Sequence, residues 1–209
     1  MLRIIILNYK RPENVRAICD TFHRALPITV VNNNPNKSFE YHSRNVDVIN
    51  NSENKMCIER WIRCYDYPEQ FKLVLDDDLL PSPLLIQKLK SKNVPLIGIY
   101  GKSGVEKASK YKDLKDHWCT NSRVDFLVGS IMLVKQEALN TIKNDLLKFR
   151  EIKRGDDIIV SYLIKKYYNL NSLETVGGKV LPLPEGEVGL NRDPEHFKLR
   201  WEVLEQCLS

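Results

Sequence analysis

Apolar runs and helix-like spacings alternate along the chain in the order expected for an α/β protein. Leu2 to Leu7 is a nearly continuous apolar run rich in isoleucine, which is typical of a strand buried on both faces. Residues 12–25 instead carry apolar side chains every three or four positions, which predicts an amphipathic helix. The same two patterns predict strands over 2–7, 28–31, 46–49, 71–75, 96–100 and 125–134, helices over 12–25, 54–66, 83–91, 136–149, 158–167 and 194–207, and loops over 101–117 and 181–191.

The order of these elements predicts the fold class. The chain begins with strand, helix, strand, strand, helix and strand, which is typical of an α/β sheet with right-handed crossover connections. No internal repeat and no linker-like segment is visible. We therefore expect one domain over 1–209, with a Rossmann-like, mixed, mostly parallel sheet flanked by helices.

Composition excludes several classes of protein. The 209 residues are 43% hydrophobic and 28% charged, which is ordinary for a globular chain and excludes disordered and collagen-like proteins. The net charge of +5 fits an anionic ligand, but without a recognition motif it argues against a nucleic-acid partner. The apolar N-terminal run is too short for a signal peptide, and no run approaches the ~18 residues of a membrane span. We expect a soluble, cytoplasmic protein.

The five cysteines are an odd number and contain no CxxC pair. This pattern predicts free thiols in a reducing compartment, most of them buried, rather than a disulfide framework. It also argues against a structural zinc site, because the chain has no cluster of suitable ligands.

Three adjacent carboxylates, Asp76, Asp77 and Asp78, are the most informative feature of the sequence. They follow the predicted strand 71–75, and open α/β sheets bind ligands at the carboxyl ends of their strands. Mg²⁺ and Mn²⁺ take one or two protein carboxylates and complete their shell with phosphate oxygens and water. We therefore predict a metal–diphosphate site, with Asp76 and Asp78 on one side of the extended chain and Asp77 on the other. The simpler alternative is that one aspartate caps the turn before Pro81.

The triplet resembles the DxD motif of nucleotide-sugar-dependent glycosyltransferases of the GT-A fold. The resemblance extends over most of the chain as an ordered set of segments. These are 8–12, 31–34, Asn54-Lys55 with Arg60, 128–130, 155–158, and Glu195-His196 with Arg200. The order is similar to that of the exostosin-like transferases and of small virus-encoded or bacterial GT-A enzymes. The chain lacks the membrane anchor and paired cysteines of the exostosin-like pattern, so a Golgi location and a glycosaminoglycan substrate are not implied.

The resemblance implies a GT-A-like catalytic domain whose first half, residues 1–100, binds the nucleotide and whose second half, residues 101–209, meets the acceptor. It implies transfer of a hexosyl or deoxyhexosyl group from a nucleotide diphosphate sugar, most simply a UDP-sugar. The acceptor would be a hydroxyl of a glycan or glycoprotein, and the cofactor Mn²⁺ or Mg²⁺. The small size is compatible with a module of a longer polypeptide.

Roles in the donor site follow from the same resemblance. Tyr9 would stack on the base, Arg11 would meet a phosphate and Asn33 would hydrogen-bond the base edge. Arg60 would bind the ribose or the diphosphate. The alternatives are packing for Tyr9, turn chemistry for Asn33 and a surface position for Arg60.

The resemblance assigns each carboxylate of the triplet a different partner. Asp77 would bind the ribose or a donor hydroxyl, and Asp78 would bind the metal. Asp76 would support the site through the ribose or a metal-bound water. His196 would be a further metal ligand. The ion would neutralise charge on the leaving nucleoside diphosphate.

A second acidic pair, Asp156 and Asp157, follows Gly155 at the start of a predicted helix. In an inverting enzyme one of them, preferably Asp157, would take the proton of the acceptor hydroxyl. In a retaining enzyme it would contact the reacting sugar. The alternative is that both residues cap the helix and stabilise its dipole.

Several later residues have two interpretations. Arg192 and Arg200 would close over the diphosphate, or they lie with His196 on a solvated helix face. The lysines of 101–117 form a lid or a solvated loop, and we favour the loop. Trp118 and Trp201 would stack on an acceptor sugar or pack in the core.

The loop after the first strand argues against several competing functions. Sugar nucleotidyltransferases cradle a triphosphate in a glycine-rich loop, which residues 8–12 lack. An aspartyl-phosphate phosphatase needs a nucleophile where Asn8 stands, and a P-loop enzyme needs a motif that is absent. A non-catalytic domain that binds a nucleotide sugar or a glycan remains open.

Overall fold

The computed structural model describes residues 1–184 and 193–208. Six α-helices lie within these ranges: α1 (Pro12–Phe22), α2 (Glu59–Arg63), α3 (Pro83–Ser91), α4 (Gln136–Leu146), α5 (Asp156–Tyr168) and α6 (His196–Leu208). The strands there are β1 (Leu2–Asn8), β2 (Ile28–Asn32), β3 (Val46–Asn50), β4 (Phe71–Leu75), β5 (Leu79–Pro81), β6 (Leu96–Gly98), β7 (Tyr100–Ser103), β8 (Lys115–Trp118), β9 (Ser122–Val124), β10 (Phe126–Leu127), β11 (Ile131–Lys135), β12 (Leu173–Thr175) and β13 (Val180–Pro182).

Eight strands form the central sheet in the order β3-β2-β1-β4-β11-β6-β12-β9. The first four of these are parallel neighbours, and β6 is parallel to β12. Strand β11 runs antiparallel to β4 and β6, and β9 runs antiparallel to β12. Two smaller sheets, β10-β7-β8 and β13-β5, accompany the large one. The predicted fold class, a mixed, mostly parallel sheet flanked by helices, is confirmed.

Side-chain alternation along β1 divides the core between the two faces of the sheet. Ile4 and Ile6 pack on the face covered by α1 and α3. Ile5 packs on the opposite face, which α2, α4, α5 and α6 cover. Because both faces are covered, the parallel strands are apolar at nearly every position, as the sequence pattern indicated.

Three predicted elements are wrong in extent. The helix predicted over 54–66 is α-helical only over Glu59–Arg63, since Met56 has a left-handed backbone with φ of 58° that a helix cannot contain. The strand predicted over 125–134 divides into β10 and β11, which belong to different sheets. The strand predicted over 96–100 ends at Gly98, and β7 begins at Tyr100 in the small sheet.

The segment 101–117 was predicted as a loop, but strands β7 and β8 form an antiparallel pair at its two ends. Gly101 lets this pair approach β9 and β10, because a Cβ there would lie 2.7 Å from a methyl carbon of Val124. The short strands β5, β9, β12 and β13 were not predicted, since three residues carry too little periodicity to be recognised. Most of the predicted loop 181–191, and Arg192, lie outside the described residues.

All five cysteines are free thiols, as predicted. Only Cys19 and Cys64 are fully buried, so the prediction that most of them are buried is wrong. Among the described residues no helix combines the length and the apolar character needed to cross a membrane.

Candidate active site

A cavity of about 620 Å³ opens at the carboxyl ends of β1, β2 and β4. This volume lies in the usual range for sites that bind small molecules. Trp118 and Trp201 do not line the cavity, and Arg192 lies outside the described residues. Eleven other predicted site residues do line it: Tyr9, Arg11, Asn33, Arg60, Asp76, Asp77, Asp78, Asp156, Asp157, His196 and Arg200. The two acidic segments, about 80 residues apart in the chain, thus face one space.

Asparagine side chains tie the parallel strands together beneath the cavity. Asn8 at the end of β1 donates to Asn32 at the end of β2 over 2.9 Å, and Asn32 donates to Asn50 of β3 over 2.7 Å. Asn33 uses both ends of its amide, since it donates to the carbonyl of Met56 and accepts from Asn51. Both partners are distant in the chain, so these bonds join separate segments and are not the local turn contacts of the alternative, and Asn33 also lines the cavity.

Arg11 holds two members of the carboxylate triplet. Its Nη1 lies 2.7 Å from Asp77 Oδ1 and 3.0 Å from Asp78 Oδ2. The backbone N–H of Tyr9 donates to the other oxygen of Asp77 over 3.2 Å. Asp77 and Asp78 therefore share one guanidinium, against the predicted pairing of Asp76 with Asp78. The reason is that residues 77 and 78 form a turn, where the alternation of an extended strand does not apply.

Arg60 joins the two acidic segments. Its guanidinium forms an ion pair with Asp76 through Nη1 and lies 3.0–3.1 Å from Asp156 Oδ2 through Nη2 and Nε. Nη1 also donates to the carbonyl of Gly129 over 2.9 Å. Trp61 adds a hydrogen bond of 2.8 Å from its Nε1 to Asp156. Arg60 is 3% exposed, so the surface alternative for this residue is wrong.

Arg200 holds Asp157 in the same way from α6. Its Nη2 lies 2.7 Å from Asp157 Oδ2, and the backbone N–H of Gly129 donates to the same oxygen over 2.7 Å. Both side chains are buried. Arg200 therefore does not lie on a solvated helix face, which was the alternative for this residue.

Two glycines make these contacts possible. Gly155 precedes α5 with φ of 84°, as the prediction of an unusual turn required, and no side-chain cap is found at this helix start. Gly129 lies against the ion pairs, because a Cβ there would be 2.3 Å from Nη2 of Arg60. Neither aspartate occupies the N-cap position, which is Gly155, and both bind arginines. They nevertheless lie in the first turn of α5, where Asp157 Oδ1 accepts from the backbone N–H of Ile158 over 3.0 Å, so the alternative of a favourable interaction with the helix dipole also holds. The helix after the triplet is capped by Ser82, so none of the three aspartates serves that purpose.

Burial and charge perturb the titration of these groups. Burial, with Asp78 and Asp77 nearby, raises the pKa of Asp76 to about 8 against the opposing effect of Arg60. Burial raises the pKa of Asp77 to about 6, although Arg11 opposes it. Burial would also raise the pKa of Asp157, but the Arg200 guanidinium outweighs it and lowers that pKa below 3.8. Burial, with Arg200 and Arg154 nearby, lowers the pKa of His196 to about 4, so its imidazole is neutral at pH 7.

Unpaired polar atoms cluster in the cavity wall. Five buried side-chain atoms in the described ranges lack a hydrogen-bond partner, and three of them are Arg11 Nε, Arg154 Nε and His196 Nδ1. All three of these residues line the cavity. These atoms have no partner within the protein, and water or a ligand in the cavity would have to satisfy them.

The residues fit a cation that takes most of its ligands from a bound substrate. Across residues 1–184 and 193–208, no three carboxylate, histidine or cysteine side chains converge as a self-contained metal cage. Asp76, Asp78 and His196 nevertheless line one cavity, and the neutral ring of His196 has an unpartnered Nδ1. Mg²⁺ and Mn²⁺ are commonly held by one or two protein groups together with phosphate oxygens and water. A cation here would have to take further ligands from a bound molecule or from water, and it would meet carboxylates that already pair with Arg60 and Arg11.

Sequence reasoning missed several residues that line the cavity, among them Lys102, Tyr111 and Arg154. Lys102 is 6% exposed and pairs with Asp116, so the interpretation of all the lysines in 101–117 as solvated is wrong for this one. Tyr111 is buried beside Arg200 and contacts its guanidinium. Arg154 pairs with Asp193 over 3.1 Å. The alternation of Tyr100 and Lys102 along β7 was the one available signal, and it was too short to recognise.

Comparison with known proteins supplies structural likeness but no sequence match. No family model matches the chain, and no curated protein matches it. The structure is similar to the crystal structure of S. aureus TarS 1-349, with a TM-score of 0.52 and 12% identity over 85% of this chain and 58% of that chain. For S. aureus TarS 1-349 in complex with UDP-GlcNAc the TM-score is 0.55, with 12% identity over 90% and 59%.

A third similar structure is the glycosyltransferase GlyE of Streptococcus pneumoniae TIGR4. Its TM-score of 0.48, at 15% identity over 79% of this chain and 43% of that chain, is too low to support a conclusion. The likeness to TarS shows a shared fold. The chain spans less than two thirds of the TarS fragment it matches. An α/β fold of this type, with an arginine- and aspartate-lined cavity at the carboxyl edge of its sheet, is thus established.

Proposed function

We propose that this protein is a metal-dependent glycosyltransferase that uses a nucleotide diphosphate sugar, most simply a UDP-sugar. The observation that carries the proposal is the group of unpartnered atoms on Arg11, Arg154 and His196 in the wall of one cavity. Two of them are guanidinium donors, which suit phosphate oxygens. The shared fold with TarS, which has been crystallised with UDP-GlcNAc, supports a nucleotide sugar as the ligand.

In this proposal the donor lies across the ends of β1 and β4. Tyr9 lines the cavity, where its ring would stack on the base, and Arg11 would meet a phosphate through its Nε, which has no partner within the protein. Arg60 has nearly all of its donors engaged by Asp76, Asp156 and Gly129. We therefore assign it the role of holding the two acidic segments at a fixed separation, with Asp76 oriented toward the ribose.

The cation would be held by Asp78, with Asp76 and His196 near it. When bound, it would neutralise the charge that develops on the leaving nucleoside diphosphate. Burial raises the pKa of Asp76 even beside Arg60, and a bound cation would favour its ionised form further. Arg200 would add positive charge beside the diphosphate from α6.

The acceptor hydroxyl would lose its proton to one of the two carboxylates at the start of α5. Asp157 is ionised at neutral pH because Arg200 lowers its pKa, and it is buried against Gly129. A carboxylate held in this way is a weak base unless its arginine shifts toward the donor's phosphates. The proposal therefore includes such a shift of Arg200 when the donor binds, which would raise the basicity of Asp157.

The test is a panel of UDP-, GDP-, ADP- and CMP-sugars, each with Mn²⁺, Mg²⁺ or a chelator. A bound donor should raise the unfolding temperature by mass action. Metal should stimulate the release of the nucleotide, which is the nucleoside diphosphate for a UDP-, GDP- or ADP-sugar. Asp78→Asn should abolish the metal stimulation, while Asp113→Asn, at an exposed loop position outside the cavity, should leave it unchanged. Binding without metal-stimulated hydrolysis would support a non-catalytic binding domain. If no nucleotide sugar stabilises the protein, the proposal is wrong.

A further inference from the structure

One face of the hairpin formed by β7 and β8 extends from the donor cavity to solvent. In the antiparallel register Tyr100 lies opposite Trp118, and Lys102 lies opposite Asp116. Directly opposed residues, and residues two apart on one strand, point to the same face. Tyr100, Lys102, Asp116 and Trp118 therefore share a face, which we call the hairpin face.

The inner end of the hairpin face belongs to the cavity. Tyr100 and Lys102 both line it, together with the ion pairs described above. The hydroxyl of Tyr100 donates to Asp116 Oδ1, and Lys102 Nζ lies 2.5 Å from the same oxygen. These contacts use one oxygen of Asp116, whose side chain keeps 59% of its surface exposed. The other oxygen of this carboxylate can therefore accept a hydrogen bond from a ligand.

The outer end of the hairpin face is an exposed aromatic ring. Trp118 is 45% exposed, and it contacts the ring of Tyr100 edge-on at a centroid distance of 5.3 Å. In contrast, Trp61 is fully buried, and Trp201 is partly buried against the core. Of the two tryptophans considered for stacking on an acceptor sugar, Trp118 is therefore the one whose ring a ligand can reach from solvent. The two rings meet at an interplanar angle of 73°, so Tyr100 can cover at most one face of the indole.

We propose that the hairpin face is a subsite for a pyranose ring of the acceptor, with the ring stacked on Trp118 and a sugar hydroxyl donating to Asp116. An acceptor must place one hydroxyl beside the reacting sugar, so its binding surface has to adjoin the donor cavity. A pyranose has an apolar C–H face and a rim of hydroxyl groups. An exposed indole beside a charged acceptor complements both features. This inference rests on the proposed glycosyl transfer.

Intrinsic fluorescence tests the subsite without requiring turnover. Because Trp118 is the most exposed of the three tryptophans, acrylamide should quench it preferentially. Lactose, maltotriose, cellotriose and chitotriose are titrated in the presence of UDP and Mn²⁺. At least one of them should protect the protein from quenching in a saturable way. Trp118→Ala should remove that protection. If no sugar protects the wild-type protein, the subsite is wrong.

A kinetic experiment with matched variants tests the same surface. With a sugar that protects Trp118, Trp118→Ala should raise the acceptor KM roughly three- to tenfold, and Trp118→Phe should restore most of the loss. Donor hydrolysis without acceptor is measured in both variants, so that a change in acceptor KM is separated from a change in donor turnover. Tyr167→Ala removes an aromatic ring of similar exposure on α5, away from the cavity. This control should change neither the acceptor KM nor the rate of donor hydrolysis.

The outcomes separate the two proposals. Saturable sugar protection that depends on Trp118, without any donor hydrolysis, would retain the subsite and refute glycosyl transfer. Donor hydrolysis with equal acceptor kinetics in Trp118→Ala and Tyr167→Ala would refute the subsite and retain the transfer.

Discussion

Replacing Arg60 by methionine should destabilise the protein far more than replacing an exposed arginine. Methionine keeps an unbranched, apolar stem of similar length, so it fills the site without a large cavity. The substitution leaves Asp156, whose side chain is 4% exposed, without its cation. It also removes the donor to the carbonyl of Gly129 and the partner of Asp76.

The magnitude follows from the burial of each contact. Removing one member of a buried ion pair costs about 3–5 kcal/mol, and the Trp61 hydrogen bond that Asp156 retains places this loss at the lower end. The pair with Asp76 contributes about 0–1 kcal/mol, because 40% of the Asp76 side chain is exposed to the cavity. Together these terms predict a loss of about 3–4 kcal/mol, or roughly 10 °C in the unfolding midpoint for a chain of this size.

Urea unfolding measures this loss directly. The midpoint should shift with an unchanged slope, since the native state stays compact. Arg123→Met, at an exposed position on β9, is the matched control and should change the free energy of unfolding by less than about 0.5 kcal/mol. The double variant Arg60→Met/Asp156→Asn should lose less unfolding free energy than the two single variants lose together, because the second substitution removes the buried charge that the first leaves unpaired. Equal midpoints for Arg60→Met and Arg123→Met would refute the reasoning.

Two further predictions concern the neighbouring contacts. The folded pKa of Asp157 lies below its usual 3.8, so its ion pair stabilises the protein above pH 4, and this contribution is lost as the pH falls below 4. The difference in unfolding free energy between wild type and Asp157→Asn, measured with urea, should therefore shrink as the pH falls below 4. A difference that stays constant would contradict the assignment. Gly129→Ala should cost about 1–3 kcal/mol by overpacking and weaken donor binding, because its Cβ meets Arg60. Gly104→Ala, strained by a φ of 90° but open to solvent, should lose stability without affecting the donor, and equal donor affinity in both alanine variants would count against a role for Gly129.

Much of the fold could be predicted because it depends on local patterns. The buried strand at 71–75 and the helix at 83–91 have the predicted bounds, since a continuous apolar run and a Pro-initiated helical repeat are visible within one short window. The hairpin of β7 and β8 could not be predicted, because its charged residues are paired across the strands rather than solvated. That pairing depends on contacts between residues 14 positions apart.

The chemistry of the site was readable in part for the same reason. Adjacent aspartates after a buried strand mark the carboxyl edge of the sheet from sequence alone, and Asp76, Asp77 and Asp78 do line a cavity there. Which carboxylate meets which arginine was not readable. Arg60 reaches Asp156 over a separation of 96 residues, and no local pattern encodes such a pair.

The sequence by itself therefore determined the α/β class and the place of the acidic triplet at the end of a buried strand. These depend on periodicity and on residue type, which are local properties. Only the tertiary structure decided that the aspartates are divided between Arg11, Arg60 and Arg200, and that Trp118 alone among the tryptophans has an exposed ring beside the cavity. Burial and pairing arise when distant segments pack together, and the pKa values of the site follow from that packing.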